Sequence, residues 1–600
     1  MLPWLVVAHP AAQSLPVITR FASARGGVGN VGFWTTDFLQ WTVTGATSIT
    51  IDQGVGVVTG LSSATITPTA RTRYTLTATN AAGSTTATWI EPYVPLVQIS
   101  ERLYKTEHSI YYIPDPAQVT FPAYDSVLSV ANINNIYLPQ LQSAFPDDYM
   151  MVIVAANNLT PNNVPSVLTG RHLADGIGDV TATGVGIPNL CRYNIGGGAL
   201  STGALGVMDH EIGHNWIARL GEEVAIGHWH DNSTVGGQMA NSYFVAANGG
   251  LESRRIIGTP ATGFTWTGVD NSAKNETDTF ADQDLYLMGL HPTFPDTYVL
   301  SNPVLNNDHT VSYSAVNTYG HAWMVGKNGV RTPNYTTSDK QFRLGVIYVA
   351  QTLAEVQESY LPWDLSVSHF ANAEAVDTDK YRFQVPFLVE TEFRASVNAR
   401  LADLDGNTAP TLTLSSPSYV RSVNGTATIT FTAADAGAPA PTVSLVPASA
   451  SASITSNTIT LQGLATGTHF VTIKAEDAQG KKAFRHVVVD VVAVPSFTDD
   501  PLVIGATTMK AAHVTELRTA IDTLRASRGL ATYTWTPSSI TAGSTPITAA
   551  IITQLRTALG EVYTAANRVP PTYTTLTAGT SLITAASITE LRTAITAIWQ

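Results

Sequence analysis

The sequence predicts a multidomain protein: a central α+β domain flanked by all-β two-sheet sandwiches, with a helical repeat module at the C-terminal end. Three observations predict it. Six hundred residues exceed what one hydrophobic core can organise, and that length suggests roughly three to five domains. Strict apolar–polar alternation, the period of a half-buried strand, marks a stretch on either side of the centre. One six-residue pattern recurs three times near the C-terminus. The boundaries read as a leader or signal remnant over 1–15, a sandwich over 16–95, the central domain over 96–400, a second sandwich over 408–494 and the repeat module over 496–600.

Composition narrows the partners. The net charge of -13 accompanies a charged fraction of only 13%, and Lys and Arg are scattered, which argues against nucleic acid and anionic membranes. The single cysteine, Cys191, excludes an intramolecular disulfide framework and any zinc site built from several thiolates. A metal in this chain must therefore be held mainly by His, Asp or Glu. No apolar run reaches the ~20 residues that span a bilayer, so no membrane insertion is predicted. Met1 to Ala12 is apolar and ends in small residues, but it lacks a basic start and its apolar core is short for a secretory signal. Richness in Thr, Ala, Ser and Gly suits extracellular β-modules, so the protein is expected to be secreted.

In the first sandwich, Leu39, Trp41 and Val43 alternate with polar residues, as do Tyr74, Leu76 and Ala78, and Asn80-Ala-Ala-Gly83 supplies a turn. Trp41 and Tyr74 are expected to anchor the core. The segment Trp41 to Ile51, followed by Tyr74 to Gly83, resembles the immunoglobulin-like modules of bacterial surface proteins, which implies attachment to a bacterial cell surface through the accessory domains. Tyr93-Val-Pro-Leu96 reads as a linker. From Ser126 to Ala144 apolar residues recur at mostly helical spacing; Pro146-Asp-Asp then turns the chain into Met150-Met-Val-Ile-Val-Ala155, a short β-branched run expected to form a buried strand. Short strands are expected within Val180 to Ile195, and Gly196-Gly-Gly198 leads to Ser201 and Thr202, candidate N-caps of the next helix.

That helix carries His210-Glu211-Ile212-Gly213-His214, an H-E-x-x-H motif. Imidazoles at i and i+4 lie one above the other and can grip one zinc ion, with the intervening glutamate beside the water that zinc activates. In a chain this poor in histidine the match arises by chance in only about one sequence in a hundred. His210 to His214 matches the zincin signature, and the helix–strand–motif layout between Ser126 and Gly221 resembles the upper half of that metallopeptidase superfamily. The resemblance implies a zinc-dependent peptidase. The metzincin form would place Gly at 217 and His at 220, where this chain has Ile217 and Leu220, so the resemblance is to a divergent, metzincin-like member.

The third ligand must then come from geometry. The helix is expected to run to Leu220 and stop at Gly221, carrying the chain about 9 Å beyond the metal. His228 has enough residues for the return, and Gly227-His-Trp-His230 fits a short strand with His228 and His230 on one side and Asp231 placed to orient an imidazole. His228 is the preferred ligand; His230, Asp284 and Glu223 are the alternatives, in that order. Met239 is a core methionine or a floor beneath the metal, and neither Tyr243 nor Tyr286 is assigned as an oxyanion donor.

Two acid-rich stretches, Glu276 to Asp284 and Asp403-Leu-Asp-Gly-Asn407, are candidate structural calcium loops. Beyond Pro410 the alternation resumes, with His469, Val471, Ile473 and Ala475 ahead of an Asp477-Ala-Gln-Gly480 turn. Glu516-Leu-Arg-Thr-Ala-Ile521 recurs at Gln554 to Leu559 and Glu590 to Ile595, so each repeat is one loop and one amphipathic helix stacked on its neighbours, an accessory module for surface attachment or substrate proximity. The expected function is a secreted zinc endopeptidase acting on protein or glycoprotein substrates, with Glu211 as general base. The alternatives are a non-catalytic surface adhesion protein with a structural zinc module and a zinc hydrolase acting on cell-wall or glycan amides.

Overall fold

A computed structural model describes residues 14–25, 37–145, 151–157, 168–170, 190–193, 213, 229–235, 243–269, 279–372 and 386–599, apart from positions 92, 122, 128, 231, 248, 249, 330, 424, 438, 504, 505, 527, 529 and 578–582. These residues are mostly β-sheet with few helices, divided into two compact units: 1–418 with 430–449 and 470–487, and 419–429 with 450–469 and 488–600.

The first sandwich forms from β1 (Val17–Arg25), β2 (Asp37–Thr44), β3 (Ser48–Ile51), β4 (Gly56–Val57), β5 (Ser63–Thr65), β6 (Thr72–Asn80) and β7 (Gly83–Glu91). One sheet has the order β1-β2-β5 and the other β4-β3-β6-β7. Alternation puts Leu39 and Trp41 from the first sheet against Ile49, Tyr74, Leu76 and Ala78 from the second, in one shared core.

The central region is organised on one mixed sheet. Its strands are β8 (Val97–Ser100), β9 (Leu103–Lys105), β10 (Ile110–Tyr112), β11 (Met151–Asn157), β12 (Leu168–Gly170) and β13 (Leu190–Tyr193). The hairpin strands β14 (Tyr243–Ala247), β15 (Gly250–Thr259) and β16 (Gly263–Val269) make a separate sheet, and β17 (Thr297–Ser301), β18 (Val304–Leu305), β19 (Val311–Ser312) and β20 (Ala315–Tyr319) form two small antiparallel pairs, β17 with β20 and β18 with β19. β21 (Gln341–Val349) and β22 (Ser396–Asn398) return to the main sheet, whose order is β12-β11-β21-β10-β9-β8. β11 and β21 run parallel, and both are near-continuous apolar runs because both faces of the sheet are covered. Met151, Ile153, Leu344, Val346 and Tyr348 face a core completed by Val356, Trp363, Val367 and Phe370 of the Leu353–Asn372 helix. Val152, Val154, Ile347 and Val349 face the other way, onto Ile133, Tyr137 and Leu141.

The helix expected from Ser126 to Ala144 is broken: Tyr124–Val127, Val130–Asn132, a π-turn over Ile133–Tyr137, then Leu138–Ala144. Pro139 sits in the first turn of the last segment, directly after the π-turn, where it withholds an N–H from the preceding helical carbonyls. Of the strands expected within 180–195, β13 is described; residues 171–189 lie outside the described set.

The stretch expected to form the second sandwich gives β23 (Thr411–Leu414), β24 (Tyr419–Ser422), β25 (Ala427–Ala434), β26 (Thr442–Val446), β27 (Ala452–Thr455), β28 (Thr458–Leu461), β29 (Gly467–Glu476) and β30 (Lys482–Val491). β23 pairs with β25, β26 with β29 and β27 with β28, all antiparallel, while β24 lies parallel to β30.

The repeats give three helices, Ala511–Ala526, Ala549–Ala565 and Ala585–Trp599. They do not stack in an open row. Each touches both others, and the contacts between repeats are cyclic. The arginine of the first helix, Arg518, lies over Trp535 of the following loop; Arg556 lies over Tyr573; and Arg592 of the last helix reaches back to Phe497, ahead of the first. Glutamate or glutamine accepts the backbone N–H of a loop threonine in each repeat: Glu516 from Thr498, Gln554 from Thr536, Glu590 from Thr574. The ring closes because Arg592 donates to Thr498 O at 2.7 Å, as Arg556 donates to Thr574 O at 2.7 Å.

Candidate active site

His210, Glu211, His214, Glu223 and His228 lie outside the described residues, as do Asp231 and Met239. Gly213 within the motif is described, and it is helical and buried. Among the described residues no group of three or more His, Cys, Asp or Glu side chains could hold a metal.

The segment next to His228 is described in detail. Trp229 is completely buried and packs on Phe294, ring centroids 6.1 Å apart. Its indole Nε1 donates to Asp284 Oδ1 at 2.6 Å. Backbone bonds then stitch the chain to β17: Ser233 N–H donates to His230 O at 3.0 Å, Thr234 N–H to Tyr298 O at 3.0 Å, and Leu300 N–H to Asn232 O at 2.9 Å. His230 is partly exposed.

Asp284 sits in the Asp282–Leu287 helix, and its other oxygen, Oδ2, accepts the Ala281 N–H at 3.0 Å, which caps the helix start. The helix ends at Gly289, whose φ of +76° permits Gly289 N–H to reach Tyr286 O and Leu290 N–H to reach Leu285 O. Burial pushes the Asp284 carboxyl up to about 7, against the pull of the Trp229 and Ala281 hydrogen bonds. Both oxygens are thus engaged within the core, Oδ2 at the helix start and Oδ1 on the indole. Tyr286 is buried, with its ring edge-on to Phe294 and His321, and packs as a core residue. Tyr243 opens β14.

Two buried polar clusters escaped the sequence reading. At the β9–β10 turn, His108 Nδ1 lies 2.9 Å from Asp364 Oδ2, and the His108 N–H donates to Asp364 Oδ1 at 3.0 Å, tying the hairpin to the Leu353–Asn372 helix. Beside it, Lys481 Nζ makes ion pairs with Glu107 at 2.7 Å, Asp405 at 2.7 Å and Asp403 at 3.0 Å, and donates to Asn407 O at 2.6 Å. The Asp403–Asn407 loop, a candidate calcium loop from its spacing, therefore converges on an ammonium supplied by the turn before β30. Burial alone would raise the Glu107 carboxyl, but His108 and the Lys481 ammonium hold it below its usual value. In the other acidic stretch, 276–278 lie outside the described residues.

No family model matches the chain, and no curated protein matches it. Among solved structures, a nucleoside hydrolase-related hypothetical protein of Saccharophagus degradans is 18% identical, with 18% of this chain and 30% of that one covered at a TM-score of 0.12. Domains 1–6 of the surface layer protein SbsC are 12% identical, with 81% and 55% covered and a TM-score of 0.12. Sidekick-1 immunoglobulin domains 1–4 are 8% identical, with 81% and 98% covered and a TM-score of 0.13. The chain spans under a third of the first structure and about half of the second. TM-scores this low carry no argument about fold or function. No helix among the described residues is long and apolar enough to cross a membrane.

Proposed function

We propose that this chain is a secreted zinc-dependent endopeptidase of divergent zincin type, with immunoglobulin-like sandwiches and a helical ring as accessory domains. The observation that carries the reading is the His210-Glu211-x-x-His214 segment, which pairs two helical imidazoles with a glutamate that metal coordination alone does not require. The donor set suits zinc: His210, His214 and His228 would supply three neutral nitrogens and leave a position open. Support for His228 comes from its neighbour, since burial of Trp229 against Asp284 anchors the backbone at that point.

Zinc, when bound, lowers the pKa of water and polarises a carbonyl. Glu211 takes the proton from the attacking water and returns it to the departing amine. The substrate class is protein or glycoprotein. Replacement of Glu211 by Gln, with zinc content and casein cleavage measured together, tests the proposal: zinc retained with cleavage lost is the expected result. A parent protein that binds zinc without cleaving casein points instead to a structural zinc module or to hydrolysis of cell-wall or glycan amides.

A further inference from the structure

The cluster around Lys481 brings an amine against a carboxyl group in a site closed to water. The Lys481 amine spends its three N–H bonds on Glu107 Oε1 at 2.7 Å, Asp403 Oδ1 at 3.0 Å and Asn407 O at 2.6 Å. Its 2.7 Å approach to Asp405 Oδ1 is therefore a charge contact without a hydrogen bond, and it places Nζ no more than about 4 Å from the Asp405 carboxyl carbon. The three acids differ in what else they hold. Glu107 Oε1 also accepts the Leu404 N–H at 2.8 Å and the Asp405 N–H at 3.2 Å, so this carboxylate is fixed in place beside the amine. The Asp403 side chain is 32% exposed and reaches solvent. Asp405 is fully buried, its Oδ2 has no hydrogen-bond partner, and the Arg71 guanidinium stands 3.8 Å from that oxygen.

We propose that Lys481 and Asp405 join in an intramolecular isopeptide bond, formed by the folded chain itself with Glu107 as the proton carrier. Glu107 takes a proton from the ammonium, and the freed lone pair on Nζ adds to the Asp405 carboxyl carbon, forming the C–N bond. The Arg71 guanidinium faces the oxygen on which negative charge collects. The C–Oδ2 bond then breaks, and the two protons given up by Nζ, carried in turn by Glu107, leave with Oδ2 as water. One ammonium and one carboxylate become one amide and one water, so the step needs no oxidant and no cofactor. The fold favours condensation because it holds the two groups together and excludes the water that would hydrolyse the product. The amide ties the loop ahead of β23 to the turn between β29 and β30. It gives a covalent clasp to a chain whose single cysteine, Cys191, can form no internal disulfide.

The test is mass spectrometry of the full chain, intact and after trypsin. The parent is expected to lie about 18 Da, one water, below the mass of its sequence. Its digest should contain Leu401–Arg421 linked to Ala475–Lys482, uncut at Lys481, with fragmentation placing the link on Asp405. Lys481→Arg keeps the cation and removes the amine, so it should show the full mass and no linked pair. Glu107→Gln should lower the linked fraction at least about tenfold. The parent measurement depends on no variant folding, and a parent at full mass overturns the proposal. Water loss that leaves the two peptides separate and persists in Lys481→Arg also overturns it, because that is the mark of a succinimide at Asp405-Gly406. A link placed on Asp403, or an undiminished link in Glu107→Gln, counts against it equally.

Discussion

The Trp229 indole donates to the Asp284 carboxylate at 2.6 Å across 55 residues of sequence, and neither side chain is exposed to solvent. One bond joins the segment beside a proposed zinc ligand to a short helix from a later part of the chain. Asp284→Leu leaves the indole N–H without a partner in an apolar core and removes a helix cap, so it should cost about 1–3 kcal/mol. If the pair also positions His228, zinc affinity measured by chelator competition should fall about 10–100-fold in Trp229→Phe, where the ring stays and the donor goes. Unchanged affinity in a well-folded Trp229→Phe protein would sink the positioning role.

Lys481, its side chain 1% exposed, is the cation that touches Glu107, Asp403 and Asp405 together, while Arg71 reaches Asp405 at 3.8 Å and Arg400 reaches Asp403 at 3.9 Å. Lys481→Met strands buried carboxylates and should lower stability by about 3–5 kcal/mol in urea unfolding. Adding Glu107→Gln and Asp405→Asn should recover a large part of that loss, because the uncompensated charge goes with them.

His486 bridges β30 to β29 and β22. The Thr472 hydroxyl donates to Phe393 O, so it accepts from His486 Nδ1–H, and Nε2 accepts from Ser396 Oγ at 2.8 Å. Burial, with the Lys340 and Arg485 charges, pushes this imidazole down to about 3, whereas in the unfolded chain it titrates near its usual value of about 6.5. The unfolded state therefore binds the extra proton between those values. Stability from this group is complete above about pH 6.5 and is lost as pH falls towards 3, by at most about 1.4 kcal/mol per pH unit. Unfolding free energies of His486→Gln should be flatter with pH across that window than those of the parent; parallel curves would refute the assignment.

Arg592 closes the helical ring through Thr498 O and Phe497. Arg592→Met leaves the part-buried Thr498 carbonyl without this donor and should cost about 1 kcal/mol, and limited proteolysis should then cut first in the loop around 495–510. An unaltered cleavage pattern would mean that helix packing alone holds the ring.

Local periodicity made a large part of the fold legible. Alternation placed Trp41 and Tyr74 in one core, and the β-branched run at 151–156 marked the doubly covered strand β11. The broken helix at 124–144 was less legible, because apolar spacing does not register a π-turn or a proline within the same stretch. In the candidate site, spacing exposed the paired imidazoles and Glu211 but could not separate His228 from Asp284 as a ligand. The Trp229–Asp284 bond has no sequence signature, since nothing in the stretch between them specifies that the two meet.

By itself the sequence determined the chemistry on offer: a zinc-type motif, strand and helix periods, and a repeat whose arginines recur in step. Those are short-range properties, set by backbone period and side-chain type. Tertiary structure decided which polar groups are spent in holding the fold. It committed Asp284 to an indole, gave the Asp403–Asn407 loop to Lys481 and closed the repeats into a ring. Such choices depend on desolvation and on partners distant along the chain, because a buried carboxylate is stable only where a donor or a cation has been brought to it.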